Sequence, residues 1–253
     1  TRKKMEQATS LIDGLGGERA RWTEDQATFA SQKTRLVGDC AIACAFVSYC
    51  GPFDQGFRSH LTKDKFFDDI STRKIPVTEG IADELTGFLV EPSVVADWNQ
   101  QGLPTDSLST ANGILVTRSS RFPLLVDPQG QALNWILRRE EERLPTFGST
   151  TLADPRLRDR VEFCMSEGKA LVLAAVEEEI DPMLTPLLEK QIIKKGKNFY
   201  ITIADKLCEF NHEFVLYMTT RLANPHFSPE LQARTTVVNF TVTQGGLAEQ
   251  LLG

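Results

Sequence analysis

The residues best placed to do chemistry lie in one stretch, Phe122-Pro-Leu-Leu-Val-Asp-Pro-Gln-Gly-Gln-Ala-Leu-Asn-Trp-Ile136. Leu124, Leu125 and Val126 form a short apolar run of the kind buried in parallel sheets. Asp127-Pro-Gln-Gly130 turns the chain, and Trp135, Ile136 and the charged run Arg138 to Arg143 read as an amphipathic helix. Strand, glycine-bearing loop and helix are the frame of a phosphate-binding loop. That loop needs G-x-x-x-x-G-K-[ST], because backbone N–H groups and a lysine hold the phosphates and a hydroxyl holds magnesium. On this template Asp127 replaces the first Gly and Ala132 the second, while Leu133 replaces the Lys and Asn134 the Ser/Thr. Gly130 keeps the turn, but the phosphate chemistry is missing. An acid where phosphate would sit, and no lysine, both oppose a nucleotide.

A second group of carboxylates follows Val172-Leu-Ala-Ala-Val176, at Glu177, Glu178 and Glu179. In P-loop ATPases an acidic pair at such a strand end serves magnesium and the attacking water. The same residues suit a solvated strand end, and without a phosphate-holding lysine that reading is favoured. Asp127 and Glu177 are also the residue types of a glycosidase pair, although nothing in the sequence fixes their separation. Cys40 and Cys44 share a helical spacing, but the three histidines, His60, His212 and His226, are scattered, so all five cysteines read as buried thiols rather than metal ligands. Their odd number and wide spacing also argue against a disulfide framework. Asn239-Phe-Thr241 is a glycosylation sequon only in form, since it lies in an apolar strand.

The elements that must position these residues are legible in part. Residues 1–37 carry heptad spacing: Met5, Ala8, Ile12 and Leu15 step as a and d positions, and Trp22, Phe29 and Leu36 continue one series seven apart. Gly14, Gly16 and Gly17 interrupt the run, so it reads equally as a coiled-coil seam or a broken amphipathic helix. Gly38-Asp39 offers a cap, followed by a small-residue helix from Cys40 to Cys50 that Gly51-Pro52 ends. Helices are expected over 58–73, over 78–89 with Thr78 as cap and Ile81, Leu85 and Phe88 inward, and from Pro92 through Trp98. One helical turn is expected at 105–111 and a strand over 114–117. Beyond the central stretch come a short strand or loop at 146–151, a helix from Asp154-Pro155 to Glu167, a strand over 170–176 and a helix from Asp181 to Gln191. A hairpin around Gly196, a strand over 214–219, a short helix over 229–233 and a strand over 235–242 follow. A last helix opens at Gln244-Gly245-Gly246. Buried strands alternating with helices predict an α/β sheet covered on both faces. Ligands in such sheets bind at the carboxyl ends of the strands. Here those ends carry Asp127, Glu177 to Glu179, Asn224 and Thr243.

Composition narrows the classes. The chain has 253 residues, a net charge of -6, 41% apolar and 25% charged residues. That is enough to bury a sizeable core, and the acidity argues against a general nucleic-acid binder. No apolar run approaches the roughly 20 residues that span a bilayer. No secretion signal opens the chain, which begins mid-helix without an initiator Met and reads as a fragment.

Several blocks resemble the fifth AAA+ module of dynein heavy chains. They are Trp98-Asn-Gln-Gln-Gly-Leu-Pro104, Asp106-Ser-Leu-Ser109, Asn112-Gly-Ile114, Phe122 to Ala132, Glu178-Glu-Ile-Asp-Pro182, Thr219-Thr-Arg-Leu-Ala-Asn-Pro-His226 and Val238-Asn-Phe-Thr-Val-Thr243. Leu11-Ile-Asp-Gly-Leu-Gly-Gly-Glu18 and Arg21-Trp22 are similar to the returning half of the dynein stalk near its base. The match runs in order along essentially the whole chain. Trp98-Asn99, Gly102-Leu-Pro104 and Asp127-Pro-Gln129 look more like the axonemal (ciliary) form than the cytoplasmic one.

The resemblance implies residues 1–37 as stalk base and residues 38–253 as an AAA+ large subdomain with a mainly parallel sheet, its lid truncated. It implies a non-catalytic module with no cofactor of its own, in a minus-end-directed motor whose other modules take ATP and magnesium. Asp127, Gly130, Ala132, Leu133 and Asn134 would be a degenerate P-loop, Glu177 and Glu178 a degenerate magnesium and water pair, and Asn224 a sensor-like residue. Arg234, with Arg221 as runner-up, would be an arginine finger towards a neighbouring module. The implied partners are the fourth and sixth AAA+ modules, the outgoing stalk helix, the microtubule through the stalk tip, and the intermediate and light chains. Nucleic acid and membrane are not among them. The implied location is the cytoplasm and the cytoskeleton of the ciliary or flagellar axoneme. The contrasting readings are an autonomous nucleotide-binding enzyme or sensor, and a passive coiled-coil adaptor that needs a partner for Met5 to Leu15.

Overall fold

The computed structural model describes the backbone of residues 2–242; of the side chains before Arg21, it describes those of Met5 and Glu18. The seam positions Ala8, Ile12 and Leu15, as well as Thr243 and the helix expected from Gln244, therefore fall outside the described side chains or residues.

A single helix, α1 (Arg2–Tyr49), runs unbroken for 48 residues. It stops neither at the early glycines nor at Gly38-Asp39. Gly38 serves contact rather than termination: a Cβ there would meet the Pro76 carbonyl oxygen at 2.4 Å. Asp39 does not cap a helix either. Its carboxylate reaches across the fold to accept from Thr78 N–H at 2.8 Å and Thr78 Oγ1 at 2.7 Å. Burial changes at this point along α1. Trp22 and Phe29 are each 66% exposed, and Leu36 and Val37 are exposed, whereas Ile42, Ala43 and Phe46 are buried. Cys40 and Cys44 lie on the solvent side, contrary to the expected buried thiols; Cys50, Cys164 and Cys208 are buried.

The carboxyl end of α1 is clamped. Gly51 passes so close to the sheet that a Cβ would meet the Val237 carbonyl oxygen at 2.1 Å. The Asn239 N–H donates to the Gly51 carbonyl at 3.0 Å. Arg58 donates from Nε to the Cys50 carbonyl at 2.9 Å and from Nη2 to the Gly51 carbonyl at 2.8 Å. A cation at the carboxyl end of a helix complements its dipole. Arg58 is 3% exposed, and burial, opposed in part by nearby Cys50 and Asp54, brings its guanidinium pKa down to about 10.

Past the clamp, α2 (Gln55–His60), a π-helical stretch (Leu61–Phe67) and α3 (Asp68–Thr72) form one continuous helical arm. The helix expected over 78–89 is only α4 (Leu85–Leu89), since Thr78 is engaged by Asp39. Ile81 and Leu85 are buried as expected, but Phe88 is 38% exposed. Then come α5 (Pro92–Gln100) and α6 (Ser107–Arg118). Residues 114–117 belong to α6 and not to a strand. Asp106 caps this helix, accepting from Ser109 N–H at 2.9 Å, and its apolar run is buried as a core helix. Short apolar runs do not distinguish a buried strand from a buried helix.

Five parallel strands form the main sheet, in the order β2-β3-β7-β1-β8. They are β1 (Phe122–Val126), β2 (Ser149–Thr150), β3 (Ala170–Leu173), β7 (Val215–Thr220) and β8 (Thr235–Asn239). The strands have two buried faces, and alternate residues go to opposite layers. Leu125, Val172, Tyr217 and Val238 join α1, α6 and α7 (Gln131–Arg139) in one core cluster. Leu124, Val126, Leu171, Leu173, Leu216 and Met218 join α8 (Leu157–Glu167) and α9 (Thr185–Leu188) in the other. A small antiparallel sheet, β4 (Ile193–Lys195), β5 (Asn198–Ile203) and β6 (Lys206–Glu209), sends Ile201, Ile203 and Cys208 into this second layer. The expected hairpin is present, and β6 is a third strand beyond it. The last helix of the described residues is α10 (Pro229–Arg234). This is the α/β arrangement of an AAA+ large subdomain behind a long amino-terminal helix. Among the described residues no helix is long and apolar enough to cross a membrane.

Gly51→Ala is expected to lower unfolding stability by about 1–3 kcal/mol, because backbone must move to admit the methyl group. Gly87→Ala, in α4 with open space around its Cβ position, is expected to raise stability by about 0.5–1 kcal/mol. Urea denaturation of the two variants beside the parent chain checks both signs.

Candidate functional site

The carboxyl ends of β7, β1 and β8 converge on Asp127. Its N–H donates to the Thr220 carbonyl at 2.9 Å, and the Phe240 N–H donates to the Val126 carbonyl at 2.9 Å. Asp127 is 2% exposed. Gly130, in the left-handed region at φ 76°, turns the chain into α7. The turn brings the first N–H groups of α7 back over the end of β1, which is how such a loop makes an anion site.

That anion site is filled from within. Asp127 Oδ2 accepts from the Leu133 N–H at 2.9 Å. The backbone N–H groups of Ala132, Gln131 and Gly130 also stabilise the carboxylate charge, while Oδ1 has no hydrogen-bond partner. Burial is the larger influence and raises the carboxyl pKa above its ordinary value; the four N–H groups oppose it. The side chain thus occupies the amino end of α7, where a phosphate would accept the same bonds. Ala132 is buried, Leu133 half-buried and Asn134 exposed. Neither Leu133 nor Asn134 carries the amine or hydroxyl that a nucleotide-magnesium complex requires at its position.

The other expected residues are more open. β3 ends at Leu173, earlier than expected, because Ala175 adopts a positive φ of 54° and breaks the strand. Glu177, Glu178 and Glu179 are exposed. Glu178 Oε1 accepts from the His226 N–H at 3.0 Å and so ties this end to the loop after β7. Arg221 and Asn224 lie in that same loop, both exposed. Arg234 lies at the opposite, amino end of the sheet, just before β8. Its guanidinium pairs with Glu189 at 2.6 Å and Glu230 at 2.7 Å. A reach to a neighbouring nucleotide would first have to break both ion pairs. Among the described residues, no group of three or more His, Cys, Asp or Glu side chains gathers as a metal would need.

Two features have no counterpart in the sequence reading. One is the self-capping role of Asp127, signalled only by an acid one turn before a helix start. The other is a buried network at the far end of α7. Glu140, 4% exposed, accepts from Tyr217 Oη at 2.7 Å and from Arg143 Nη1 at 3.1 Å. It ties α7 to β7. Burial, the largest influence, raises the Tyr217 pKa, so its hydroxyl stays a donor.

Comparison with known proteins bears on the family. The family model of the ATP-binding dynein motor region matches residues 96–253. The model of the microtubule-binding stalk of dynein motor matches residues 1–70. The chain is 50% identical over 246 residues to the dynein gamma chain, flagellar outer arm, of Chlamydomonas reinhardtii, covering 97% of this chain and 5% of that relative. It is 45% identical over 251 residues to dynein axonemal heavy chain 8 of Homo sapiens, covering 99% of this chain and 6% of that relative. The dynein beta chain, flagellar outer arm, of Chlamydomonas reinhardtii is 41% identical over 254 residues, with 100% and 5% covered. The chain therefore spans only a small part of the length of these relatives. With a stalk match at its start and a motor-region match over the rest, the chain belongs to the dynein heavy-chain family.

Proposed function

We propose that this chain is a non-catalytic, structural AAA+ module, the fifth of an axonemal dynein heavy chain, joined to the returning base of the stalk. The observation that carries the reading is the Asp127 carboxylate seated on the amino end of α7, where a nucleotide phosphate would lie. A nucleotide would have to displace a buried group from a fold-internal bond. It would then find no lysine at 133 and no hydroxyl at 134. Such a module transmits force instead of performing chemistry.

The stalk base corresponds to residues 1–37 and the module to residues 38–253. The change along α1 from the exposed Trp22, Phe29 and Leu36 to the buried Ile42 and Phe46 supports that division. The apolar positions spaced by seven fit a seam for the outgoing stalk helix. An unbroken helix that ends in a buried clamp at Gly51 and Arg58 is suited to passing motion between sheet and stalk. The remaining partners follow from the family: the fourth and sixth modules of the same chain, the microtubule at the stalk tip, and intermediate and light chains. ATP and magnesium act in other modules of the parent motor. The relatives' names place them in flagella and axonemes, and the same location is proposed here.

Titration calorimetry with magnesium-ATP and with magnesium-ADP is expected to give no saturable heat. A micromolar dissociation constant would favour the autonomous nucleotide-binding reading instead.

Replacing the buried carboxylate tests the cradle from the other side. A carboxyl whose folded pKa is raised adds stability below its unfolded pKa, near 3.9, and loses it as pH rises through the folded value. Asp127→Asn keeps an acceptor for the Leu133 N–H without the charge. It should therefore match or exceed the parent chain in stability at pH 7, and its relative advantage should shrink as the pH falls towards 4. Denaturant unfolding of both proteins across that range measures the difference.

A peptide spanning residues 1–36 is expected to be mostly coil by circular dichroism, because a single helix without tertiary packing is marginal. Full helicity at low concentration would mean that the seam needs no partner.

A further inference from the structure

The five thiols of the chain fall into two classes. Cys50, Cys164 and Cys208 are buried, and burial pushes the first two up to about 11 and raises the third. They are poor nucleophiles, because the thiolate is the reactive form. Cys40 and Cys44 are exposed. They stand four residues apart on α1, so both lie on one face of the helix.

That face borders an open trough of about 510 Å³. Val47 continues the same face, and Phe88 at the end of α4 adds apolar surface. Arg118, the last residue of α6, and Arg121, in the turn beyond it, also line the trough. Both arginines are exposed, and among the described residues neither guanidinium has an ion-pair or hydrogen-bond partner. Arg121 borders a second depression as well, so Arg118 is the more committed of the two. No aspartate or glutamate lines the trough. The hydroxyls of Ser119 and Thr236 at its edge are bonded to each other, which leaves the two guanidiniums as its free cations.

We propose that this trough is a modification site, at which Cys40 or Cys44 takes a mixed disulfide with an acidic peptide thiol of the glutathione class. The step is thiol–disulfide exchange. A cysteine thiolate attacks one sulfur of the peptide's disulfide, that S–S bond breaks, a new S–S bond joins peptide and chain, and one peptide thiolate leaves. The peptide disulfide is the oxidant, and the cysteine's proton passes to solvent. Arg118 and Arg121 complement the peptide's carboxylates. A trough of this volume suits a ligand of a few residues. Helix geometry decides against the other product, a bond between the two cysteines. Side chains at i and i+4 have Cβ atoms about 5–6 Å apart, whereas a disulfide spans about 3.5–4.5 Å between them. Closing that gap would distort α1, so the second sulfur comes from outside. The adduct would sit between α1 and α4, just before the clamp at Gly51. The site is separate from the Asp127 loop and stands whether or not that loop takes nucleotide.

The probe is oxidised glutathione, added to the purified, reduced chain at mildly alkaline pH, with adducts located by intact mass and peptide mapping. Hydroxyethyl disulfide, which is neutral, controls for intrinsic thiol reactivity. Adducts are expected on Cys40 or Cys44 and not on the three buried cysteines. Arg118→Gln combined with Arg121→Gln should slow the glutathione reaction about fivefold, as for the loss of two exposed ion pairs, and leave the hydroxyethyl disulfide rate unchanged. Lys195→Gln combined with Lys197→Gln, in the exposed hairpin, removes the same charge elsewhere and should change neither rate. All four side chains are exposed, and the melting temperature checks each fold. Arg118→Gln alone carries the test should the double variant fold poorly. Equal slowing with both disulfides, equal slowing by the hairpin pair, or an internal disulfide with no peptide attached would overturn the proposal.

Discussion

A carboxylate held against the amino end of its own chain's helix sets the character of the whole carboxyl-end face. Asp127 is buried where β7, β1 and β8 end, and it accepts the backbone bond that an external anion would otherwise take. Positive helix ends attract negative charge whether it arrives on a ligand or on a neighbouring side chain. With that charge supplied from within, the Leu133 N–H has its acceptor on the chain itself. Asp127 does this at a cost, since burial raises its pKa. The acid is thus held in place by the fold against its own preference for water.

The second constraint is mechanical. The 48 residues of α1 emerge from the core without a break, so bending is resisted along its whole length. Its end is fixed to the β8 edge by the Asn239 bond and to α2 by Arg58. β8 pairs directly with β1, the strand that leads into Asp127. The self-filled loop and the stalk-side helix are therefore two hydrogen-bonded steps apart.

Much of this was legible in the residues. The apolar runs expected as strands at 122–126, 170–176 and 214–219 announced the parallel sheet, because strands covered on both faces read as near-continuous apolar runs. Asp127, Leu133 and Asn134 depart from the phosphate-loop pattern by residue type alone. Errors came where a residue's role depends on distant partners. Gly38-Asp39 reads as a helix cap until Pro76 is seen against Gly38. Thr78 reads as a cap until Asp39 claims its N–H and hydroxyl. Residues 114–117 read as a strand because a fully buried helix loses its 3.6-residue signal. Arg58 gave no local sign that it would be buried, and the two ion pairs of Arg234 join it to both its own helix and the segment after α9.

The central claim, that Asp127 permanently occupies the cradle, is tested most directly by amide hydrogen exchange at Leu133. The account predicts strong protection of that N–H in the absence of any ligand, unchanged by saturating magnesium-ATP. Rapid exchange of the Leu133 amide, or protection that appears only when nucleotide is added, would contradict it.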